Sequence, residues 1–333
     1  MKTIAVINFG PLGDVINSSP VCMTLKENYP DSRLIFITSP AGYPGAECIP
    51  GVDKVYCFDR RGKYKGMTAL VKESIKLRFK EKIDLAVIIN ESFRTAIYTF
   101  LAGAKIRAGR DCDGRGFMLT HKLPFLSEER ELKIHVSEQY MRVLKPLGLY
   151  KKDYEPGFIY SRADMDYIDE IIRKEGYLNS NLIGICPCAG EYRCKDWAFE
   201  EFAEFIKNIN QTSNRKIIIT GTAEAAVYAE KLREMGITDF LDMSLKTSVG
   251  QLGALISRCN IFVSADTGPM HIAFALKTPT VALFMQENYL KWGPKDKYNN
   301  ELVFVPVRIN AETAIQAYTR LDGKQDNNLI SQG

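Results

Sequence analysis

The sequence predicts an α/β protein in which two mostly parallel, doubly wound sheets form two domains. Short apolar runs alternate with helix-like segments along the 333 residues, a pattern typical of parallel strands joined by crossover helices. The alternation is interrupted at 150–160, where Pro156 and Gly157 lie in a stretch of poor periodicity. Because the chain exceeds the usual size of one domain, we expect domains at 1–155 and 156–322, followed by a polar, frayed tail at 323–333.

The first domain is expected to begin with an apolar strand at 3–7, followed by a tight turn and a helix. Val15, Ile16, Val21 and Leu25 give that helix its apolar residues. Further apolar runs predict strands at 34–38, 54–58, 85–89 and 105–108. The intervening segments predict helices or turns at 41–48, 67–79, 95–102 and 135–147.

A second alternating series predicts the second domain. Ser161 and Asp164 have the spacing of a capping box, which opens a helix that runs to Ile172. Strands are expected at 182–186, 216–220, 261–263 and 280–284. Helices are expected at 199–209, 223–235, 248–257, directly after Pro269, and at 311–321 following an Asn310 cap.

The turn after the first strand contains Gly10, Gly13 and Asp14. It lacks both the G-x-G-x-x-G fingerprint and the Gly-Lys-Ser/Thr ending of a P-loop, which disfavours a nicotinamide dehydrogenase. Asp is a good N-cap residue. Asp14 is therefore expected either to cap the following helix or to act in catalysis, and its position in the sequence leaves both roles open.

The turn at 264–271 is the strongest candidate for a binding site. The run 261–263 predicts a buried strand that stops at Asp266, and Pro269 suits the first turn of a helix. Such a turn places backbone N–H groups and the positive end of a helix dipole at the carboxyl edge of a parallel sheet. The sequence therefore predicts a site for a phosphate group at this edge.

Composition narrows the class of protein. The formal net charge is +4 without a dense basic stripe, so we expect no nucleic-acid partner. We find no signal-peptide pattern at the start and no apolar run of 18 residues. These features predict a cytoplasmic protein whose eight cysteines are mostly reduced core residues.

Three clusters of polar residues have two interpretations each. Basic residues follow two strands and either are solvated or bind an anionic substrate. They are Arg60, Arg61, Lys63 and Lys65 after the first of these strands, and Arg107, Arg110 and Arg115 around the second. Asp111 and Asp113 have the D-x-D spacing that some glycosyltransferases use for a metal, but a single such tripeptide arises easily by chance. Cys186, Cys188 and Cys194 are either ordinary thiols or a metal site, and their spacing favours thiols.

Four stretches taken together resemble glycosyltransferase family 9, the bacterial lipopolysaccharide heptosyltransferases. They are 12–15, 187–197 with Lys195 and Trp197, 220–224, and 266–271. The resemblance implies a GT-B architecture, two Rossmann-like domains facing each other across a cleft. It also implies inverting, metal-independent transfer, without a cofactor, from a nucleotide-diphosphate sugar such as ADP-heptose to a lipopolysaccharide-core or related glycan.

The resemblance also assigns roles to residues of this sequence. Asp14 matches the general base, and Lys195 matches a lysine that contacts the phosphates and the sugar. Donor-binding residues would be Glu224, Asp266, Thr267, Gly268, Pro269, Met270 and His271. Apart from the resemblance, the turn and the basic residues after the strands predict an acceptor side formed by Gly13, Arg60, Arg61, Lys63 and Arg110. The expected acceptor is an anionic glycolipid or glycan, which makes peripheral contact with the inner face of the cytoplasmic membrane a further expectation.

Two departures from the family pattern lie in the expected donor pocket. Pro187-Cys188-Ala189-Gly190 replaces the usual Pro-Gly-Ala turn, and Met285 replaces the glycine that usually follows Leu-Phe. The base and sugar of the donor therefore remain open. The alternatives to transfer are a GT-B-like sugar-nucleotide epimerase and a sugar-nucleotide-binding protein without turnover; the presence of Asp14 and Lys195 argues against the latter.

Overall fold

The computed structural model describes residues 1–60, 62–125, 134–188, 197–295, 299–306 and 308–331, with side chains of the last helix given through Lys324. The chain divides into two compact units, Met1–Ile159 and Tyr160–Gly333. The division lies four residues beyond the expected boundary at 155, within the segment of poor periodicity. Each unit contains its own six-stranded, parallel sheet, so the predicted fold class of two doubly wound α/β units is confirmed.

The sheet of the first unit has the order β3-β2-β1-β4-β5-β6. Its strands are β1 (Thr3–Ile7), β2 (Arg33–Thr38), β3 (Lys54–Cys57), β4 (Leu85–Ile88), β5 (Ile106–Asp111) and β6 (His121–Pro124). The central strand β1 pairs with β2 and β4, so that Val6 lies between Phe36 and Val87. The edge strand β6 was not expected from the sequence.

Helices cover both faces of this sheet. They are α1 (Leu12–Asn17), α2 (Ser19–Asn28), α3 (Tyr43–Ala46), α4 (Met67–Glu81), α5 (Phe93–Leu101) and α6 (Val136–Met141), with 3-10 turns at Gly116–Met118 and Arg142–Leu147. Alternate residues of β1 enter different core layers: Val6 packs in the layer that contains Leu25 of α2, and Ile7 in the layer that contains Leu70 of α4. A strand buried on both faces explains why the sequence shows a continuous apolar run there.

The expected first helix is split into α1 and α2 at Ser18. The Ser18 hydroxyl donates to the Val15 carbonyl, and Pro20 lies in the first turn of α2, where its missing N–H costs nothing. The N-cap of α1 is Pro11, and Asp14 lies in the first turn. The alternative in which Asp14 caps this helix is therefore wrong.

The sheet of the second unit has the order β12-β11-β10-β7-β8-β9. Its strands are β7 (Leu182–Cys186), β8 (Lys216–Ile219), β9 (Leu241–Asp242), β10 (Ile261–Ala265), β11 (Thr280–Phe284) and β12 (Asn300–Phe304). The predicted strands at 182–186 and 280–284 match β7 and β11 residue for residue. The two edge strands β9 and β12 were not expected.

Seven helices of the second unit fall within the described residues. They are α7 (Arg162–Lys174), α8 (Phe199–Thr212), α9 (Ala223–Glu234), α10 (Val249–Arg258), α11 (Gly268–Ala275), α12 (Tyr289–Trp292) and α13 (Ala311–Ser331). The predicted capping box of Ser161 and Asp164 at the start of α7 is confirmed, and Asn310 accepts from the Thr313 N–H at 2.8 Å. Helix α13 continues to Ser331, so the stretch expected as a frayed tail is helical through that residue. Among the described residues, no helix combines the length and apolarity needed to cross a membrane.

Candidate active site

Each sheet has one point at which the chain changes its direction of winding. β1 is followed by β2 on one side, whereas its other neighbour β4 continues to β5. In the second unit, β7 continues to β8 and its neighbour β10 continues to β11 in the opposite direction. Open α/β sheets bind ligands beyond the carboxyl ends of the strands at such switch points. Asp14 follows β1 and Thr267 follows β10, so the candidate residues lie at both switch points.

The turn after β10 forms the entrance to helix α11. Thr267 is the N-cap, with an extended backbone (φ −138°, ψ 170°), and its side chain makes no capping hydrogen bond. Its hydroxyl instead lies 3.2 Å from the Ser264 hydroxyl and 3.9 Å from the sulfur of Cys186 at the end of β7. The first N–H groups of a helix have no intrahelical acceptor, so this turn presents amide donors and a positive dipole end to an anion.

Asp266 lies beside this turn and is 92% buried, with 8% of its surface exposed. The Asn288 side chain, at the N-cap of α12, donates to the Asp266 carboxylate at 3.1 Å. This contact orients the carboxylate, which as an anion is suited to accept from a sugar hydroxyl rather than to bind phosphate. Asn288 could not be predicted from the sequence, because it lies 22 residues from Asp266 along the chain and matches none of the motifs.

Met270 and His271 occupy the first turns of α11. The Met270 side chain is fully buried against Ala282 and Phe284, so only its backbone can face a ligand. His271 is 5% exposed and packs against the rings of Trp292 and Phe274, with centroids 5.8 and 6.1 Å away. Of the predicted donor residues on this helix, Gly268 and Pro269 are partly exposed.

Glu224 lies in the first turn of α9, directly after β8, the neighbour of β7. The Thr222 hydroxyl donates to its carboxylate at 2.5 Å. Gly221 precedes this turn with φ of +143°, and a Cβ there would approach Ala225 Cβ to 2.9 Å. Glycine is therefore required for the chain to enter α9 in this way, and the turn places Glu224 at the same sheet edge as Thr267.

Lys195 and Arg61 lie outside the described residues, and so does Cys194. On either side of the stretch that contains Lys195, the Trp197 N–H donates to the Pro187 carbonyl at 2.9 Å. Trp197 is 1% exposed and packs against Phe202 and Phe205. The residues before and after this stretch are thus joined beside the end of β7.

Asp14 is held at the switch point of the first sheet by a residue that the sequence did not indicate. The Tyr140 hydroxyl of α6 donates to Oδ1 of Asp14 across 126 positions of sequence. Burial, together with the negative charge of Asp14, raises the pKa of the Tyr140 hydroxyl well above its usual value near 10. Tyr140 therefore stays protonated and keeps donating to the carboxylate throughout the neutral range.

Two asparagines connect the ends of β1 and β4 beneath Asp14. Asn8 donates to the Asp14 carbonyl at 3.1 Å and accepts from the Gly10 N–H at 3.0 Å. Asn90 donates to the Asn8 side chain at 3.3 Å and accepts from the Phe9 N–H at 2.5 Å. Gly10 is also required for space, since a Cβ there would lie 2.4 Å from the Asp14 Cβ.

The predicted basic residues divide into two groups. The Arg60 guanidinium lies over the Phe9 ring at 4.4 Å, next to the turn that carries Asp14, and Lys63 is exposed in the same loop. Arg110 is 4% exposed, lies 3.4 Å from the Glu91 carboxylate and donates to the Gln139 carbonyl at 2.7 Å. Arg110 therefore supports the helix of Tyr140, and its contact with an acceptor stays a prediction.

The described members of the two candidate metal clusters have ordinary structural surroundings. Asp111 lies 3.9 Å from the Lys122 ammonium, and Asp113 occupies a turn with φ of +51°. Cys186 and Cys188 are buried. Within the part of the chain that the structure describes, no group of three or more His, Cys, Asp or Glu side chains is arranged to hold a metal ion.

Comparison with solved structures identifies the fold. A glycosyl transferase family 9 protein from Veillonella parvula superposes with a TM-score of 0.84 at 21% identity, covering 96% of this chain and 97% of that one. The ADP-heptose lps heptosyltransferase II of E. coli gives 0.78 at 21% identity, covering 100% and 99%. A UDP-GlcNAc 2-epimerase from Methanocaldococcus jannaschii gives 0.56 at 12% identity, covering the whole of both chains. The fold is therefore that of the GT-B glycosyltransferases.

The sequence profile described as "Glycosyltransferase family 9 (heptosyltransferase)" matches residues 73–321. The chain belongs to this family and is a glycosyltransferase, as the resemblance of its motifs predicted. The lipopolysaccharide core heptosyltransferase OpsX of Haemophilus influenzae is 25% identical over 306 residues, which are 90% of this chain and 82% of that protein. The lipopolysaccharide heptosyltransferase 3 of E. coli K12 is 25% identical over 301 residues, 85% and 82% of the two chains.

Proposed function

We propose that this glycosyltransferase moves a heptose from a nucleotide-diphosphate sugar such as ADP-heptose to a lipopolysaccharide-core or related glycan, with inversion and without a metal. The names of the relatives support lipopolysaccharide synthesis and the heptose, and one neighbouring structure is described as bound to an ADP-heptose analogue. The observation that carries the proposal is the carboxylate of Asp14, held by Tyr140 at the switch point of the first sheet. A base held in this position can take a proton from an acceptor hydroxyl.

The second unit would bind the donor. The amide groups at the start of α11 suit the diphosphate, and Lys195 would add a positive charge. Glu224, at the neighbouring strand end, would accept from the ribose hydroxyls, and Asp266 from the sugar. The leaving diphosphate gains negative charge as the glycosidic bond breaks. The amide groups of α11 and Lys195 would therefore stabilise the transition state more than the bound substrate.

The reaction would be a single displacement. The acceptor oxygen, losing its proton to Asp14, forms a bond to the anomeric carbon while the bond from that carbon to the diphosphate oxygen breaks. The electron pair of the broken bond leaves with the nucleoside diphosphate. One displacement inverts the configuration at the anomeric carbon, and the positive groups around the diphosphate perform the electrostatic role of a metal ion.

The acceptor would be anionic and read by the loop that carries Arg60, Arg61 and Lys63, close to Asp14 in the first unit. We propose that it is a phosphorylated or acidic, lipid-linked glycan at the inner face of the cytoplasmic membrane. The protein would then act from the cytoplasm, with peripheral contact to that membrane.

Donor identity is tested by the thermal stabilisation that a panel of nucleotide sugars gives to the full chain. We expect ADP-heptose to stabilise it most, and nucleoside diphosphate to be released only when a core acceptor is added, with EDTA present as well as without it. Nuclear magnetic resonance of the product should show the inverted anomeric configuration. Conversion of a nucleotide sugar to its epimer without an acceptor would instead establish an epimerase, and retained configuration would exclude the single displacement.

A further inference from the structure

The outer surface of α4 carries an apolar stripe that the core does not use. Met67, Ile75 and Phe79 are 48%, 43% and 76% exposed, and the partly buried Val71 completes a series in which each member follows the last by four positions. Residues four apart lie above one another on a helix. Helix α4 contacts its own sheet through different residues, which include Leu70 and Leu77. The stripe is therefore not explained by the packing of the unit.

A shallow apolar groove runs along this stripe. It is lined by Met67, Thr68, Val71, Lys72, Ile75 and Lys76. Contiguous exposed apolar surface of this kind marks a site of interaction.

A ridge of lysines runs beside the apolar stripe. Lys72, Lys76 and Lys80 are exposed and also follow one another by four positions. Of the two acidic residues of α4, Glu81 is 5% exposed and pairs with Arg33, while Glu73 pairs with Lys76 at 2.5 Å. The outward surface of α4 is therefore both apolar and positively charged.

We propose that this face of α4 docks on an anionic phospholipid surface. An apolar stripe bordered by lysines is the pattern by which a helix lies in the membrane interface, where the apolar residues enter the acyl boundary and the lysines meet anionic headgroups. A second copy of the chain would instead bring a second lysine ridge against the first, and the like charges would repel. The occupant that matches both the charge and the apolarity is the lipid surface.

The position of α4 along the chain connects the lipid surface to the acceptor, a step that rests on the proposed function. The loop of Arg60 and Lys63 leads through Gly66, the N-cap, directly into α4. Docking through α4 would thus hold the acceptor-reading loop near the headgroups of a lipid-linked glycan. Membrane contact would serve acceptor capture and not donor binding.

The inference is tested by sedimentation of the full chain with vesicles of phosphatidylcholine, alone or mixed with phosphatidylglycerol. Two variants probe the two features: Ile75→Ser/Phe79→Ser removes apolar surface, and Lys72→Gln/Lys76→Gln/Lys80→Gln removes charge. Matched controls in the second unit are Val227→Ser/Met235→Ser, at sites 48% and 51% exposed, and Arg173→Gln/Lys174→Gln/Lys231→Gln, at exposed sites. Melting temperatures establish that all variants are folded.

We expect the wild type to sediment with the phosphatidylglycerol vesicles, less so at high salt, and hardly with phosphatidylcholine alone. Each α4 variant should bind at least about tenfold more weakly, given the contributions of surface lysines and buried apolar groups, and the controls should bind like the wild type. Equal binding by the α4 variants and the wild type would overturn the proposal. The proposal would also be wrong if the wild-type protein does not bind the anionic vesicles or dimerises through this face.

Transfer to a soluble, delipidated core acceptor separates this inference from the proposed function. The α4 variants should keep full activity with that acceptor and lose it with the acceptor in vesicles. Vesicle binding without any transfer would overturn the proposed function and support the docking surface. Transfer without vesicle binding would support the proposed function and overturn the docking surface.

Discussion

Two roles were possible for Asp14 from the sequence, a helix N-cap and a general base. Because Pro11 is the N-cap, only the role as a base is left as a prediction. Replacement by Asn keeps an oxygen that can accept from Tyr140 but abolishes the basicity. We therefore expect Asp14→Asn to lower kcat by about 10²–10⁴-fold. Loss of a charge in the first turn of α1 should change the free energy of unfolding by no more than about 1 kcal/mol.

The three measurements for this variant are kcat, the melting temperature and the dissociation constant of the donor. The donor constant should stay near that of the wild type, because the residues that we propose to bind the donor belong to the second unit. A folded Asp14→Asn enzyme with nearly normal kcat would remove Asp14 from the mechanism.

Tyr140 is expected to position Asp14 and to stabilise its charged form. A hydrogen bond to a carboxylate favours the ionised state, so Tyr140→Phe should raise the pKa of Asp14. The base is then protonated at higher pH, and the acidic limb of the kcat/KM profile should move upward by about one to two pH units. Above that limb, kcat should approach the wild-type value.

The matched control is Tyr150→Phe. The Tyr150 hydroxyl donates to the Glu138 carboxylate at 2.8 Å, also in the first unit, but does not contact Asp14. Its loss should leave the pH profile in place. If Tyr140→Phe lowers activity equally at every pH, Tyr140 serves only the structure of the unit.

The sequence could predict residues that lie in continuous motifs but not those brought in from a distance. Asp14, Thr267 and Gly268 follow buried strands, so their place at a sheet edge follows from the alternation of strands and helices. Tyr140 and Asn288 lack that advantage, because each belongs to a separate helix or turn and carries no motif. Their contacts depend on how α6 and α12 pack, which a single sequence does not specify.

Strands and helices were predictable to different degrees according to burial. The strands buried on both faces gave continuous apolar runs and were located to within a few residues. The missed strands β6, β9 and β12 all lie at sheet edges, where polar, partly exposed residues interrupt the apolar pattern. The division of the first helix at Ser18 was missed because its apolar residues continue through both segments.

At the amino edge of the first sheet, Asp84 joins the starts of three strands. Its carboxylate accepts from the backbone N–H of Lys2 and Thr3, at 2.8 and 3.2 Å, and from Lys105 at 2.7 Å. The Lys105 contact, followed by the backbone donors, lowers the pKa of Asp84 to about 2. The folded pKa lies below the unfolded value of about 3.9, so this stabilisation is full above pH 4 and is lost as the pH falls towards 2.

We expect Asp84→Asn to lower the melting temperature at pH 7 by a few degrees. The difference from the wild type should shrink as the pH falls from about 4 to about 2, as scanning calorimetry over that range can establish. Asp239→Asn is the control, since its pair with Lys216 is 57% and 37% exposed and should contribute little. A pH-independent difference for Asp84→Asn would show that the carboxylate charge is not responsible.

For the molecule as a whole, length and alternation were enough to predict two doubly wound units, and the motifs were enough to predict the family. What they did not supply is the division of basic residues between surface and interior. Arg60 and Arg110 look alike in the sequence, yet Arg60 is partly exposed over the ring of Phe9, whereas Arg110 is buried beside Glu91 and Gln139. Burial of an arginine depends on partners that only the folded sheet provides.

If each unit handles one substrate, single changes should affect the two substrates separately. Lys195→Ala should weaken donor binding and reduce kcat/KM, with a loss of about 2–4 kcal/mol in transition-state stabilisation, because it removes the positive charge proposed to face the diphosphate. Arg60→Glu should raise the KM of an anionic acceptor and leave the donor dissociation constant unchanged, because like charges would meet in the acceptor loop.

Arg162→Glu controls for charge reversal as such, since Arg162 is 93% exposed in the second unit and distant from both switch points in sequence. It should change neither constant. The decisive measurement is the full set of donor Kd and acceptor KM values for the three variants. A shift of donor Kd by Arg60→Glu, or of acceptor KM alone by Lys195→Ala, would contradict the assignment of one substrate to each unit. If the acceptor KM is the same in Arg60→Glu and the wild type, Arg60 does not contribute to acceptor binding.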